Sequence, residues 1–162
     1  MFSADLLRLA ETVLIKARGE GLRLSTAESC TGGLIAGCLT EIPGASDVVD
    51  RGFVVYSDQA KTDLLGVPAE TIAHYGAVSE EVAHAMAKGA LERAAVHLAV
   101  SCTGIAGPSG GTMLKPVGLV HIAALRKDRP MLHEEWRFGD IGRTEVRLRT
   151  VDAALRLLVR LL

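Results

Sequence analysis

The chain has 162 residues, of which 49% are hydrophobic and 23% charged, a balance typical of one globular domain with a sizeable core. Its 18 lysines and arginines against 19 acidic residues give a formal net charge of -1. This balance excludes an overall basic field, and the 4% of aromatic residues argues against base-stacking surfaces. We therefore expect neither a nucleic-acid nor a membrane partner, since no uncharged apolar run is long enough to cross a bilayer.

Cysteines and histidines bound the redox and metal chemistry. Cys30, Cys38 and Cys102 show no CxxC spacing and cannot all pair, which predicts reduced thiols in a cytoplasmic protein. The histidines are scattered, without the spacing of a metal site, so the sequence indicates no metal. The five histidines are His74, His84, His97, His121 and His133.

The first elements follow from hydrophobic periodicity and glycine stops. Apolar residues at helical spacing predict a helix that Ser3 caps and that ends near Gly19. Residues 22–27 are predicted as a first strand. A glycine turn and a helix to about Thr40 follow it.

The middle of the chain alternates strand and helix signals. Residues 52–56 are β-branched and aromatic and predict a second, buried strand. A short helix capped by Ser57 or Asp58 comes next. We interpret the following segment as a loosely organised link, until Ser79 caps a helix that runs to Ala95.

The last third begins with a predicted strand over residues 97–102 that leads into a glycine-rich loop, 103–112. Two further strands, 117–125 and 131–138, are joined by a hairpin connection. A final amphipathic helix follows residue 142. The whole chain, residues 1–162, is thus predicted to form one α/β domain with helices on both faces of a mixed sheet.

The turn at residues 26–33 is a candidate site because it joins a strand to a helix. Glycines at such a junction let backbone N–H groups approach a ligand, and a helix N-terminus favours an anion or oxyanion. Ser29 stands at the head of this turn. It is either a nucleophile or simply a cap or turn former, and both interpretations stay open here.

A base for Ser29 is available in sequence. A serine hydroxyl needs a base to become nucleophilic, and a lysine serves when its pKa falls toward neutrality. Lys61, about one helical turn beyond Tyr56, can reach Ser29 if the carboxyl ends of the strands share one edge. Alternatively, Lys61 is a solvated surface charge and Tyr56 only fills the sheet edge.

The loop at 103–112 is dominated by glycine, hydroxyl residues and proline, a composition that favours ligand binding. Lys115 or Arg143, the latter with Arg147 one helical turn on, can supply charge for a phosphate, unless these cations are merely solvated. The candidate substrate-binding positions in the two glycine loops are Thr31, Gly32, Gly33, Thr103, Gly104, Gly107, Gly110, Gly111 and Thr112.

Five segments of the chain, in order, together resemble the CinA C-terminal domain family, which includes nicotinamide-nucleotide amidohydrolase, the deamidase of nicotinamide mononucleotide (NMN). The resemblance covers nearly the whole chain. The segments that carry it are 27–33, 51–57, 76–79, 103–108 and 110–118.

The resemblance implies a stand-alone, three-layer α/β/α sandwich that self-associates as a homo-oligomer. It also implies hydrolysis of NMN, a small-molecule substrate, to nicotinate mononucleotide and ammonia without a metal or organic cofactor. Carried onto matching positions, it makes Ser29 the nucleophile, Lys61 the base and Tyr56 the assisting hydroxyl.

The chain departs from the family pattern in two places. Asp58 stands where the family often has asparagine, and a carboxylate in contact with Lys61 would raise the pKa of that lysine. The segment 139–143 is longer than the common form, which leaves open whether Arg143 corresponds to the family's arginine. Two other functions remain: a nucleotide-binding module without turnover, and a competence or DNA-damage partner.

Overall fold

The computed structural model describes residues 2–162. The strands are β1 (Leu24–Glu28), β2 (Val49–Val54), β3 (Leu98–Gly104), β4 (Leu119–Arg126) and β5 (Leu132–Arg137). The helices are α1 (Ala4–Gly19), α2 (Leu34–Thr40), α3 (Asp58–Leu65), α4 (Ala69–Tyr75), α5 (Glu80–Ala94) and α6 (Arg143–Leu161), and a 3-10 turn spans Ala45–Asp47.

The strands form one mixed sheet in the order β2-β1-β3-β4-β5. β1 runs parallel to both β2 and β3, whereas β4 and β5 are antiparallel to their neighbours. The carboxyl ends of β1, β2 and β3 therefore meet at one edge of the sheet, as predicted.

Helices cover both faces of the sheet. Leu98 and Val100 of β3 pack in the core that contains α1, α2 and α6, and the alternating Ala99 packs with α3, α4 and α5 on the other face. This arrangement confirms the predicted α/β class with two helical layers around a mixed sheet.

Serine caps fix the start of three helices. The hydroxyls of Ser3, Ser57 and Ser79 accept hydrogen bonds from backbone N–H groups in the first turns of α1, α3 and α5. Each bond satisfies a donor that would otherwise lack an intrahelical partner. Of the two predicted caps for α3, Ser57 is therefore the cap and Asp58 the first helical residue.

Two predictions were wrong. The supposed loose link contains α4, which Pro68 precedes and Gly76 ends. The second strand is not buried, because β2 lies at the edge of the sheet and Val54 is 48% exposed. β2 also spans 49–54 rather than 52–56, while the predicted boundaries of the other four strands lie within two residues of the observed ones.

The apolar stripe of α6 packs inside the domain. Leu155, Leu157 and Leu158 are buried in the core that α6 shares with α1 and α2. That face stabilises this chain, so it is not free for a second subunit. Across residues 2–162, no helix combines the length and apolar composition that crossing a bilayer requires.

Candidate active site

A cavity of about 280 Å³ opens at the carboxyl ends of β1, β2 and β3. Its size lies near the lower end of the range of roughly 300–1,000 Å³ that is common for small-molecule sites. It brings together the predicted residues Ser29, Tyr56, Lys61, Thr103, Gly104, Gly107, Gly110 and Arg143. The convergence that the topology suggests is therefore present.

The ammonium of Lys61 lies beside the hydroxyl of Ser29. Lys61 Nζ donates to Ser29 Oγ at 3.2 Å and to the carbonyl oxygen of Val55 at 3.1 Å. Lys61 is only 1% exposed, so the interpretation as a solvated surface charge is wrong. The two residues have the geometry of a nucleophile and its base.

Burial lowers the pKa of Lys61 because the charged ammonium is poorly solvated there. The negative charge of Asp58 opposes this and raises the same pKa, although the effect of burial is the larger. The predicted influence of Asp58 thus has the expected sign without reversing the direction of the shift.

The turn that carries Ser29 is held by its own hydrogen bonds. The Ser29 N–H donates to Cys102 O at 3.1 Å, tying the turn to β3, and the Gly32 N–H donates to Ser29 O at 3.1 Å. Gly32 and Gly33 take positive φ angles of 58° and 98°, which glycine tolerates without strain. These glycines and Thr31 lie outside the cavity lining, so the structure gives them a role in shaping the turn.

Glu28 organises this turn and was not singled out from the sequence. Its carboxylate is fully buried at the N-terminus of α2. The sequence feature that could have identified Glu28 is a carboxylate at a strand end, among hydroxyl residues and just before a helix. It accepts five hydrogen bonds, from the hydroxyls of Thr26 and Thr31 and from the N–H groups of Gly33, Ile35 and Ala36.

Arg147 of α6 holds the turn from the other side. Its guanidinium donates to Cys30 O at 3.1 Å and to Thr31 O at 2.9 Å. The sequence suggested that Arg147 shares a phosphate-binding face with Arg143. The structure shows Arg147 bound to the backbone of the Ser29 turn, and Arg143 alone of the two lines the cavity.

Tyr56 and Arg143 form a bridge over the cavity. Arg143 Nη2 donates to the Tyr56 hydroxyl oxygen at 2.8 Å, and its Nη1 donates to Gly107 O at 2.9 Å. Tyr56 is 61% exposed, so it does not fill the sheet edge. The bridge joins the segment after β2 to the loop after β3.

The loop after β3 contributes unevenly to the cavity. Thr103 is buried and its hydroxyl donates to Ala77 O at 2.7 Å. Gly111, Thr112 and Lys115 lie outside the lining, and the Lys115 ammonium donates to the carbonyls of Tyr75 and Val78. Lys115 therefore anchors the loop against α4, and its phosphate-binding role stays a prediction.

Residues that sequence reasoning did not assign also line the cavity. The sequence marks Cys30 only as a reduced thiol and Asp58 only as a helix cap and a neighbour of Lys61. Ala77 and Val78 lie within the segment predicted as a loose link. These additional lining residues are Cys30, Asp58, Ala77, Val78, Ile105, Ala106 and Ser109.

The three cysteines are buried and form no disulfide with one another. A hydrogen bond with Cys102, together with burial, raises the pKa of Cys30 well above its ordinary value. Burial likewise raises the pKa of Cys38 to about 11. A raised pKa keeps Cys30 a neutral thiol, so it is a poor nucleophile compared with a thiolate.

A larger groove of about 710 Å³ lies between α1 and α6, away from this site. Its charged side chains pair with one another, as Arg149 does with Glu145 and Arg156 with Asp152. Among the described residues that line this groove, no nucleophile contacts a base. The contact between Lys61 and Ser29, rather than volume, therefore makes the smaller cavity the candidate active site.

Comparison with known proteins identifies the family. The model of the CinA C-terminal domain matches residues 6–162. A CinA-like protein of Chlorobium phaeobacteroides is 52% identical over 92% of this chain and 36% of its own length. The chain thus spans about a third of the length of curated relatives that it matches.

Solved structures agree with this assignment. The crystal structure of the competence/damage inducible protein CihA from Agrobacterium tumefaciens has a TM-score of 0.98 and 55% identity, covering 99% of this chain and 98% of that one. A CinA superfamily protein from Escherichia coli has a TM-score of 0.92 and 34% identity, covering 100% and 94%. The chain therefore belongs to the CinA C-terminal domain family.

Proposed function

We propose that this domain hydrolyses the carboxamide of NMN to give nicotinate mononucleotide and ammonia. The observation that carries the proposal is the 3.2 Å contact between Lys61 Nζ and Ser29 Oγ at a buried lysine whose pKa is lowered. A lysine of lowered pKa is able to accept a proton from serine near neutral pH. Ser–Lys pairs act in this way on unrelated folds.

In the acylation step, neutral Lys61 takes the proton of the Ser29 hydroxyl while Oγ bonds to the carboxamide carbon. The π electrons of the C=O bond move to oxygen and form a tetrahedral oxyanion. When the oxyanion collapses, the C–N bond breaks and the Lys61 ammonium returns the proton to the leaving nitrogen. Ammonia departs and a nicotinoyl ester of Ser29 remains.

The backbone N–H of Cys30 is the donor that we assign to the oxyanion. Cys30 directly follows Ser29, and its N–H donates to no other residue within 2–162, whereas the N–H groups of Gly32 and Gly33 are already satisfied. In other serine hydrolases the residue after the nucleophile supplies such a donor. One donor of this kind is typically worth about 3 kcal/mol in the transition state.

In the second half of the reaction, water attacks the ester carbon while Lys61 accepts a proton from it. Collapse of the second tetrahedral intermediate breaks the C–Oγ bond, and Ser29 regains its proton from Lys61. Nicotinate mononucleotide is released, and its new carboxylic acid loses its proton to solvent. The residues that carry each step need no metal or organic cofactor.

Arg143 is the cation that we assign to the phosphate of NMN. It lines the cavity and already bridges Tyr56 and Gly107. A guanidinium forms paired, charge-assisted hydrogen bonds with phosphate oxygens. Tyr56, bonded to Arg143, would then orient the substrate near the Ser29–Lys61 pair.

The test is an assay of ammonia and nicotinate mononucleotide release from NMN by the purified protein. We expect the two products in equal amounts. Lys61→Met should lower kcat by at least about a thousandfold, because removing one member of such a catalytic unit removes most of its effect. The matched control is Lys88→Met, since Lys88 lies exposed on α5. Wild-type turnover in Lys61→Met would reject the mechanism.

One observation favours a second function, a nucleotide-binding module without turnover. Asp58 raises the pKa of Lys61, and a lysine that stays protonated cannot serve as the base. Such a module would show an NMN-dependent rise in the unfolding temperature with no ammonia released. The two measurements on one sample therefore separate the functions.

A further inference from the structure

A second cluster of ionisable side chains lies where the first turns of α5 pass the edge strand β5. Glu80 and His84 come from α5, and His133 comes from β5. Glu80 Oε1 is 3.6 Å from His84 Nε2, and Glu80 Oε2 is 3.7 Å from His133 Nδ1. One ligand atom from each of the three residues lies within 4.8 Å of the others.

These distances approach those of a metal coordination shell. Ligand atoms placed tetrahedrally about 2.0 Å from a zinc ion are about 3.3 Å apart. The Glu80–His84 and Glu80–His133 distances are within a few tenths of an ångström of that value, and each involves a different oxygen of the Glu80 carboxylate. The Glu80 side chain is exposed, so it is free to rotate and to present its carboxylate to both imidazoles.

His84 carries an unsatisfied nitrogen at the centre of this cluster. Its Nε2 is buried and has no hydrogen-bond partner among the described residues. The nearest carboxylate oxygen, at 3.6 Å, is too far for a hydrogen bond. A buried polar atom without a partner is costly, and a metal ion would satisfy it.

His121 lies next to the cluster and orients the His133 ring. His133 Nε2 lies 3.0 Å from His121 Nδ1, and His121 Nε2 lies 3.9 Å from Glu135. If the His133 proton is on Nε2 and is donated to His121, its Nδ1 lone pair is directed toward Glu80 and His84. Metal-binding histidines characteristically have such a partner on their second nitrogen.

Neutral imidazole and carboxylate are ligands that zinc and similar first-row ions accept.

We propose that Glu80, His84 and His133 bind a divalent transition-metal ion of the zinc type, at a site separate from the Ser29 cavity. The histidines are separated in sequence by almost fifty residues, so their spacing gave no sign of a metal site. The ion joins the start of α5 to the edge strand β5, and its remaining position is open to water. None of the three ligands lines the Ser29 cavity, so we assign the ion no part in the reaction proposed above.

The test titrates Zn²⁺ into the full chain after chelator treatment, using calorimetry and the unfolding temperature. We expect one ion per chain and a Zn²⁺-dependent rise in the unfolding temperature. His84→Ala, His133→Ala and Glu80→Gln should each weaken binding at least tenfold. His121→Asn should weaken it about 10- to 100-fold with unchanged stoichiometry, as for other residues that orient a ligand.

Two control variants each remove another side chain that can bind zinc. His74→Ala removes an exposed histidine of α4, and Cys30→Ser removes a thiol of the Ser29 cavity. Both should bind Zn²⁺ like the wild type. Unfolding of the metal-free variants checks that each is folded, and Glu80→Gln changes only an exposed side chain. The proposal would be overturned if the wild type bound no zinc. It would also be overturned if His84→Ala and Glu80→Gln bound zinc with wild-type affinity.

Discussion

At the scale of single residues, Lys61 combines two properties that oppose each other. It is a buried cation bonded to Ser29 and Val55, and burial disfavours its charge. The same desolvation that costs stability makes the lysine available as a base. This residue therefore links the stability of the fold to the proposed reaction.

We expect Asp58→Asn to move the rising limb of the pH profile of kcat/KM to lower pH. Asp58 raises the pKa of Lys61, so its removal lets Lys61 lose its proton at lower pH. The measurement is NMN hydrolysis from pH 6 to 10 in wild type and variant. Asp63→Asn, on the same helix, is the control and should leave the limb in place. A limb unmoved in Asp58→Asn would show that Lys61 is not the titrating base.

The lowered pKa of Lys61 should also make the free energy of unfolding depend on pH. Because the pKa of Lys61 is lower in the folded state, the unfolded state binds more protons between that pKa and the ordinary lysine value. Stability then rises with pH across this window, from the folded pKa to about 10.4. Urea denaturation at several pH values should show this rise in stability in the wild type, and the rise should be absent in Lys61→Met. Parallel curves for the two proteins would contradict it.

At the scale of elements, the junction of β1 and α2 depends on one carboxylate. The Glu28 carboxylate accepts hydrogen bonds from three backbone N–H groups at the start of α2 and from two threonine hydroxyls. It thereby fixes the turn that presents Ser29. A helix N-terminus stabilises a negative charge in this position even when it is buried.

We expect Glu28→Gln to lower the free energy of unfolding by about 2–4 kcal/mol, because an amide nitrogen would face N–H donors and leave them unsatisfied. The displaced turn should also lower kcat. Urea denaturation and NMN hydrolysis measure the two effects. Glu92→Gln, at an exposed position of α5, is the control and should change neither. A Glu28→Gln protein as stable as the wild type would show that the carboxylate does not organise the turn.

Local patterns in the sequence predicted most elements but not their environment. The serine caps at Ser3, Ser57 and Ser79 act locally, so they were predictable. The apolar content of residues 52–56 could not reveal that β2 lies at the edge, because strand order depends on distant pairings. Pro68 and the short length of α4 concealed a helix of seven residues.

In the candidate site, too, the sequence predicted some residues and not others. Ser29, Tyr56 and Lys61 were predicted because they lie at or just beyond the ends of predicted strands and match family motifs. Glu28 and Arg147 act through backbone groups of the turn, which no spacing of functional side chains reveals. The contact of Arg143 with Tyr56 joins residues 87 positions apart, so only the folded chain shows it.

At the scale of the whole molecule, the sheet places three parallel strand ends around one cavity and keeps the histidine cluster beside β5. The expected homo-oligomer stays a prediction, with the apolar face of α6 already used in the core. Light scattering over a range of protein concentrations measures the oligomeric state directly.

The most direct measurement compares two neighbouring candidates for the nucleophile, Ser29 and Cys30, by the rate of ammonia release from NMN. Ser29→Ala should lose at least about a thousandfold in kcat while keeping its unfolding temperature. Cys30→Ser should retain activity, because Cys30 contributes its backbone N–H and not its neutral thiol. Wild-type activity in Ser29→Ala, or activity lost in Cys30→Ser but not in Ser29→Ala, would contradict the assignment of Ser29 as the nucleophile.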